Sequence, residues 1–195
     1  MVRGDLMPAL RALLGLTEED GKRLAEYADV VRPWGETFVD ALCEQLQALP
    51  ETEAFLPPEK RERIKQAWLN WYNQVLEGRV DEAFLRLHER ISLLHIKYHV
   101  PNGLMFSAMS RLQQMFLEHS LRTFSTDEAL ALYTAFKRIT DLSAALIAED
   151  YFRNALLAME RLAGVRASLM GRMLDLEIQR LLDEHQAVQP SSAAA

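Results

Sequence analysis

Apolar residues recur three and four apart along almost the whole chain, and no stretch alternates with the period of two that a half-buried strand requires. A chain so patterned folds as packed helices, so the expected fold class is all-α. Caps and breakers divide the pattern. Residues 5–14 read as a short leading helix, and Thr17-Glu18-Glu19-Asp20 caps a second that reaches Val31. Pro33 opens a third, with Phe38, Leu42, Leu46 and Leu49 on one side and Pro50 ending it, and Pro57-Pro58 closes a loop. Residues 59–77 carry Ile64, Trp68, Trp71 and Val75 on one face, with Gly78 as C-cap. The next helix, within residues 81–100, carries Phe84, Leu87, Ile91, Leu94 and Tyr98 and stops at Pro101. Pro101-Asn102-Gly103 reads as a turn before a helix over residues 104–124.

Ser125-Thr126-Asp127-Glu128 reads as a capping box for a very long helix bearing Leu130, Tyr133, Phe136, Ile139, Leu142, Leu146 and Ile147. A helix apolar most of the way round must be covered from two sides, by its own core and by a partner subunit. Past Gly164 the pattern continues through Leu169, Met173, Leu176 and Leu182, as a coiled-coil-like output linker or a terminal helix packed on the domain. The expected organisation is one domain over residues 1–165, a helical extension over 166–187 and a low-complexity, disordered tail over 188–195. Met105, Met109, Met115, Met159, Met170 and Met173 suit core and interface filling better than ligation.

Composition removes several function classes. With 195 residues, 49% hydrophobic, the chain can bury one sizeable core. A net charge of −6 gives no basic field for phosphate polymers, so no nucleic-acid partner is expected. The run Lys60-Arg61-Glu62-Arg63 with Lys65 reads as a solvated face. A single cysteine, Cys43, excludes internal disulfides and suits a reducing compartment, and no segment is apolar enough to span a bilayer. These features predict a cytoplasmic protein with no membrane partner.

The histidines carry the chemical information. His95 lies inside the apolar stripe of its helix, one turn before the stop at Pro101, where an iron ligand beneath a haem would sit; an ordinary buried histidine looks the same. No histidine follows a glutamate by three residues, which removes a di-iron bundle, and no His-Glu-x-x-His occurs. His95 and His99, four apart, could pinch a zinc ion with a third ligand. No nucleophile elbow or glycine-rich phosphate loop is present, and Cys43 reads as a small buried hydrophobe.

The stretch Arg90-Ile91-Ser92-Leu93-Leu94-His95-Ile96-Lys97-Tyr98-His99-Val100-Pro101 resembles the proximal-helix signature of globin-coupled sensors and protoglobins, an Ile-Gly-x-x-His-x-x-x-Gly-[Leu/Val]-Pro-like run. Trp71, seven residues before Gly78-Arg79-Val80-Asp81, is similar to the family's tryptophan-to-Gly-Arg-x-Asp spacing, and Leu49-Pro50-Glu51-Thr52 to the end of its B-helix. The resemblance covers roughly residues 16–162. It implies a globin-like fold with an extra N-terminal helix and an extended C-terminal helix, and haem b (iron protoporphyrin IX) held by His95. Phe38, Leu42, Cys43, Ile64, Trp68, Trp71, Leu94 and Tyr98 would surround the cofactor, with Lys97 a candidate for a propionate.

Two departures from the family pattern matter for the site: the distal tyrosine falls on Cys43, and the glycine four after the ligand is His99. A thiol is a weak donor, so the resemblance implies a less stabilised oxygen complex, easier autoxidation, or a preference for CO or NO. The implied function is sensing of a diatomic gas (O2, CO or NO), coupled to a homodimer through the last two globin helices, in a chain that is not itself an enzyme. The alternatives are a haem-free interaction module of the stress-scaffold type, a zinc-binding helical protein using His95 and His99, and a catalytic haem protein.

Overall fold

Side-chain acceptors start three of the described helices, and glycine, proline or a left-handed residue follows several of them. The computed structural model describes residues 3–164 and 166–188. Its helices are α1 (Arg3–Leu14), α2 (Glu18–Val31), α3 (Trp34–Gln47), α4 (Arg61–Leu76), α5 (Glu82–Lys97), α6 (Asn102–Thr123), α7 (Thr126–Ala163) and α8 (Ala167–Val188). No strand occurs among the described residues. At the start of α2 the Thr17 hydroxyl accepts from Asp20 N–H at 3.4 Å and the Asp20 carboxylate accepts from Thr17 N–H at 2.8 Å. Arg138 of α7 donates to the same carboxylate at 3.1 Å, so the cap also ties α2 to α7. Asp81 caps α5 by accepting from Phe84 N–H at 3.0 Å. Ser125 and Glu128 form the reciprocal pair before α7.

Several boundaries differ from the sequence expectation. Helix α3 ends at Gln47, leaving Leu49 beyond the helix and 42% exposed rather than on its buried side. Pro57-Pro58 lead into a one-turn 3-10 helix, Pro58–Lys60, so α4 proper starts at Arg61 rather than at 59. The expected turn Pro101-Asn102-Gly103 is instead the start of α6, because the Pro101 carbonyl already accepts from Met105 N–H at 3.2 Å.

Gly78 ends α4 with φ +68, where its N–H donates to the Val75 carbonyl at 3.0 Å. It also lies against Gly21 of α2 so closely that a Cβ on either residue would overlap the other's carbonyl oxygen. The glycine pair lets α2 meet the end of α4 backbone to backbone.

The core is aromatic. Phe116 of α6 and Phe136 of α7 stack with centroids 3.9 Å apart, and Phe38, Trp34 and Tyr72 pack around them edge-on. Leu132, Ile139, Leu142 and Leu146 of α7 are buried in the same cluster. The chain divides into two compact units, Met1–Tyr151 and Phe152–Ala195, with the division inside α7. In the second unit Phe152, Met159 and Leu162 are exposed, as are Met173 and Leu176 of α8. The tail expected from 188 lies, beyond Val188, outside the described residues.

Candidate functional site

A cavity of about 270 Å³ lies within the first unit, walled by α3, α4, α5, α6 and α7. Of the residues expected around a cofactor, Leu42, Ile64, Trp68, Trp71, Leu94, His95 and Tyr98 line it. Phe38, Cys43 and Lys97 do not. Phe38 is fully buried in the aromatic core, its ring 4.9 Å from that of His119. Cys43 is one residue past Leu42, and one helical step turns a side chain by about 100°; it is fully buried away from the cavity, and burial pushes its thiol up. The α3 wall is therefore Val39, Leu42 and Leu46, with no thiol or hydroxyl. Lys97 is exposed, and its ammonium lies 5.6 Å from the Tyr98 ring centroid.

The basic run read as a solvated face supplies two cavity residues, Lys60 and Arg63. Both are exposed, so they mark where the cavity meets solvent, and Lys60 sits 5.2 Å from the Tyr98 ring centroid. Neither could be singled out from sequence, because the 3-10 turn after Pro57 sets which residues of the run face inward.

His95 is the one histidine lining the cavity. Its burial pushes the imidazole pKa down to about 4, so the ring is neutral at physiological pH, with a nitrogen lone pair available to a metal. Its Nδ1 is buried and has no hydrogen-bond partner. The end of α5 is built around this residue: Val100 N–H donates to the His95 carbonyl at 2.9 Å and His99 N–H to the Ile96 carbonyl at 3.2 Å. That pair of bonds is a Schellman motif, whose left-handed position is His99 at φ +54. The glycine of the signature is the residue such a cap prefers, and the histidine here keeps the cap with backbone strain. His95 and His99 have no third ligand: among the described residues no group of three or more His, Cys, Asp or Glu could hold a metal ion.

Two of the remaining polar groups of the wall are committed elsewhere. Trp71 Nε1–H donates to His88 Nε2 at 3.3 Å, and the proton this leaves on His88 Nδ1 goes to the Phe84 carbonyl at 2.7 Å. His88, fully buried, thereby fixes the indole of Trp71, a role the sequence gave no signal for. The Tyr72 hydroxyl donates to the Val31 carbonyl at 2.9 Å, and burial pushes its phenol up. An apolar chamber with one neutral imidazole and two cations at its rim suits a ligand with an apolar body, anionic ends and a metal centre.

Comparison with known proteins bears on this arrangement. The Protoglobin family matches residues 5–156. Among solved structures, the globin domain of the Geobacter sulfurreducens globin-coupled sensor aligns with a TM-score of 0.68 at 21% identity, over 74% of this chain and 97% of that one. No curated protein matches. At that identity the likeness carries the fold, which is globin-like.

Proposed function

Because the chain belongs to the protoglobin family, we propose that it is a haem-based gas-sensing globin domain with His95 as the iron ligand. The observation that carries this reading is His95 itself, half-buried and neutral, with its Nδ1 enclosed and its ring facing an apolar cavity. Haem would supply an iron centre that binds a diatomic gas. Lys60 and Arg63, at the cavity rim, are candidates to pair with the propionates beside Lys97, whose ammonium lies at the same Tyr98 ring as that of Lys60. The wall opposite α5, from Leu42, Leu46 and Ile64, offers no hydroxyl to a bound gas. Discrimination in favour of O2 over CO rests on such a donor, so this chain should favour CO or NO.

α5 and α6 meet at a stiff corner. The His95 carbonyl is bonded to Val100 N–H, and after Pro101 the first turn of α6 carries Met105, which also lines the cavity. A shift of His95 along its helix therefore has a short route to α6. Passing that shift to a homodimer formed by α6 and α7 would make the domain a switch, through a coupling free energy between the gas site and the dimer contact. No helix among the described residues is long and apolar enough to cross a membrane. The lone free cysteine, Cys43, is compatible with a reducing compartment.

Titration of the purified protein with haemin, followed by reduction and CO addition, tests the reading. A saturable Soret band that shifts with CO at one haem per chain is expected. A protein that stays colourless would overturn it in favour of a haem-free interaction module.

A further inference from the structure

The helices of this chain follow a consistent habit: a buried hydroxyl or ring nitrogen bonds the carbonyl four residues back. Ser120 donates to Phe116 at 2.8 Å, Thr140 to Phe136 at 2.8 Å and Ser143 to Ile139 at 3.1 Å. His88, and the half-buried His119, pair Nδ1 with the carbonyls of Phe84 and Met115 at 2.7 and 3.1 Å. Among the described residues two break the habit, and both are on α5. Ser92, fully buried, has no partner for its hydroxyl, and His95 has none for Nδ1. Three residues apart, they are neighbours on one helix face. One group can accept a hydrogen and the other can donate one. Buried polar groups rarely stay unpaired, so two complementary ones side by side call for an explanation.

We propose that Ser92 is a positioning residue for His95: the two are not bonded to each other in the structure, and a rotation of their side chains lets the serine oxygen accept the Nδ1 proton and so present the Nε2 lone pair to the cavity. The Ser92 proton then remains for the His88 carbonyl, four residues back, the acceptor that the other buried helical serines use. The signature that α5 resembles carries glycine at this place, which has no such group, so the device belongs to this chain. It rests on His95 being the iron ligand only in its consequence, since the tautomer is set in the protein without haem. With iron bound, a proton shared from Nδ1 makes the imidazole a stronger donor and favours the ferric state.

The test compares wild type, Ser92→Ala and Ser92→Thr by two readouts. In the haem-free protein, long-range nitrogen-15 NMR of the imidazole should show the Nδ1–H tautomer of His95 in wild type and Ser92→Thr, and a shift toward Nε2–H in Ser92→Ala. In the haem-loaded protein, Ser92→Ala should lower the ferrous iron–histidine stretching frequency, make the midpoint potential more positive and speed haem loss about tenfold, with Ser92→Thr restoring all three. A wild-type Nε2–H tautomer, or one unmoved in Ser92→Ala, overturns the proposal. Unchanged stretching frequency and potential in Ser92→Ala also overturn it. A wild-type protein that shows the Nδ1–H tautomer but binds no haem would uphold the Ser92 contact and overturn the iron-ligand reading.

Discussion

Helix α4 has two ends in different surroundings. Its last turn presents Val75 and Leu76, neither more than 1% exposed, to an aromatic core in which Phe116 and Phe136 stack ring on ring. Its earlier turns present Ile64, Trp68 and Trp71 to a cavity of about 270 Å³, and Tyr72 touches both. Protein interiors normally pack to the density of organic crystals, so a hollow of this size forgoes dispersion contacts that the neighbouring core keeps. The departures from local rules lie on α5 and its C-terminal cap: an unpaired imidazole nitrogen, an unpaired serine hydroxyl and a histidine with positive φ. Dense packing is concentrated at one end of α4 and the candidate site at the other, the arrangement expected where a fold departs from its packing rules to hold a site.

Truncation separates the core from the cavity wall most strongly. Phe136→Ala should cost about 3–5 kcal/mol in denaturant unfolding, because the stacked core cannot collapse around the gap. Leu94→Ala, at a cavity wall already 36% exposed, should cost less than about 2 kcal/mol. Equal costs would break the contrast. Next in size is the pH response of the haem-free protein. The folded-state pKa of His95, about 4, lies below the ordinary value near 6.5, so the unfolded chain takes up that proton first as the pH falls. The associated stability is fully present above about pH 6.5 and is lost as the pH falls toward 4, at most about 3 kcal/mol. Urea unfolding across that window, beside His95→Leu, should show this part of the slope vanish in the variant.

Two smaller effects sharpen the picture of the cavity. Leu42→Tyr would put a phenol on the α3 wall, and one added hydrogen bond of about 1 kcal/mol should slow O2 dissociation roughly fivefold in stopped-flow measurements while leaving CO nearly unchanged. His99→Gly should relieve the left-handed strain at the end of α5, worth about 1–2 kcal/mol, against about 0.5–1 kcal/mol of added glycine entropy in the unfolded chain. A net gain below about 1 kcal/mol, seen as a slightly higher Tm, is expected.

Much of the fold was legible because its signals are local. Thr17 with Asp20, Asp81 and Ser125 with Glu128 mark helix starts within four residues, and Pro101 marks the end of the ligand helix. His95 was legible for the same reason, through its register on an apolar stripe. What escaped depends on rotation or on distant partners. Cys43 and Leu42 differ by one step along α3, which decides which of them faces the cavity. Lys60 and Arg63 reach the rim through a 3-10 turn that the pattern of charges does not reveal. Gly21 meets Gly78 and Trp71 meets His88 across helix contacts that no local spacing encodes.

The most direct measurement is the absorption spectrum of the haem-loaded protein, ferric, reduced and with CO, beside His95→Gly with and without added imidazole. The wild type should give a Soret band that moves on reduction and on CO addition. His95→Gly should lose or shift that band and recover it with imidazole, which replaces the missing ring in the cavity. A His95→Gly protein whose spectra match the wild type in all three states would show that iron is held elsewhere and would contradict the assignment of the cavity as the haem site with His95 as its ligand.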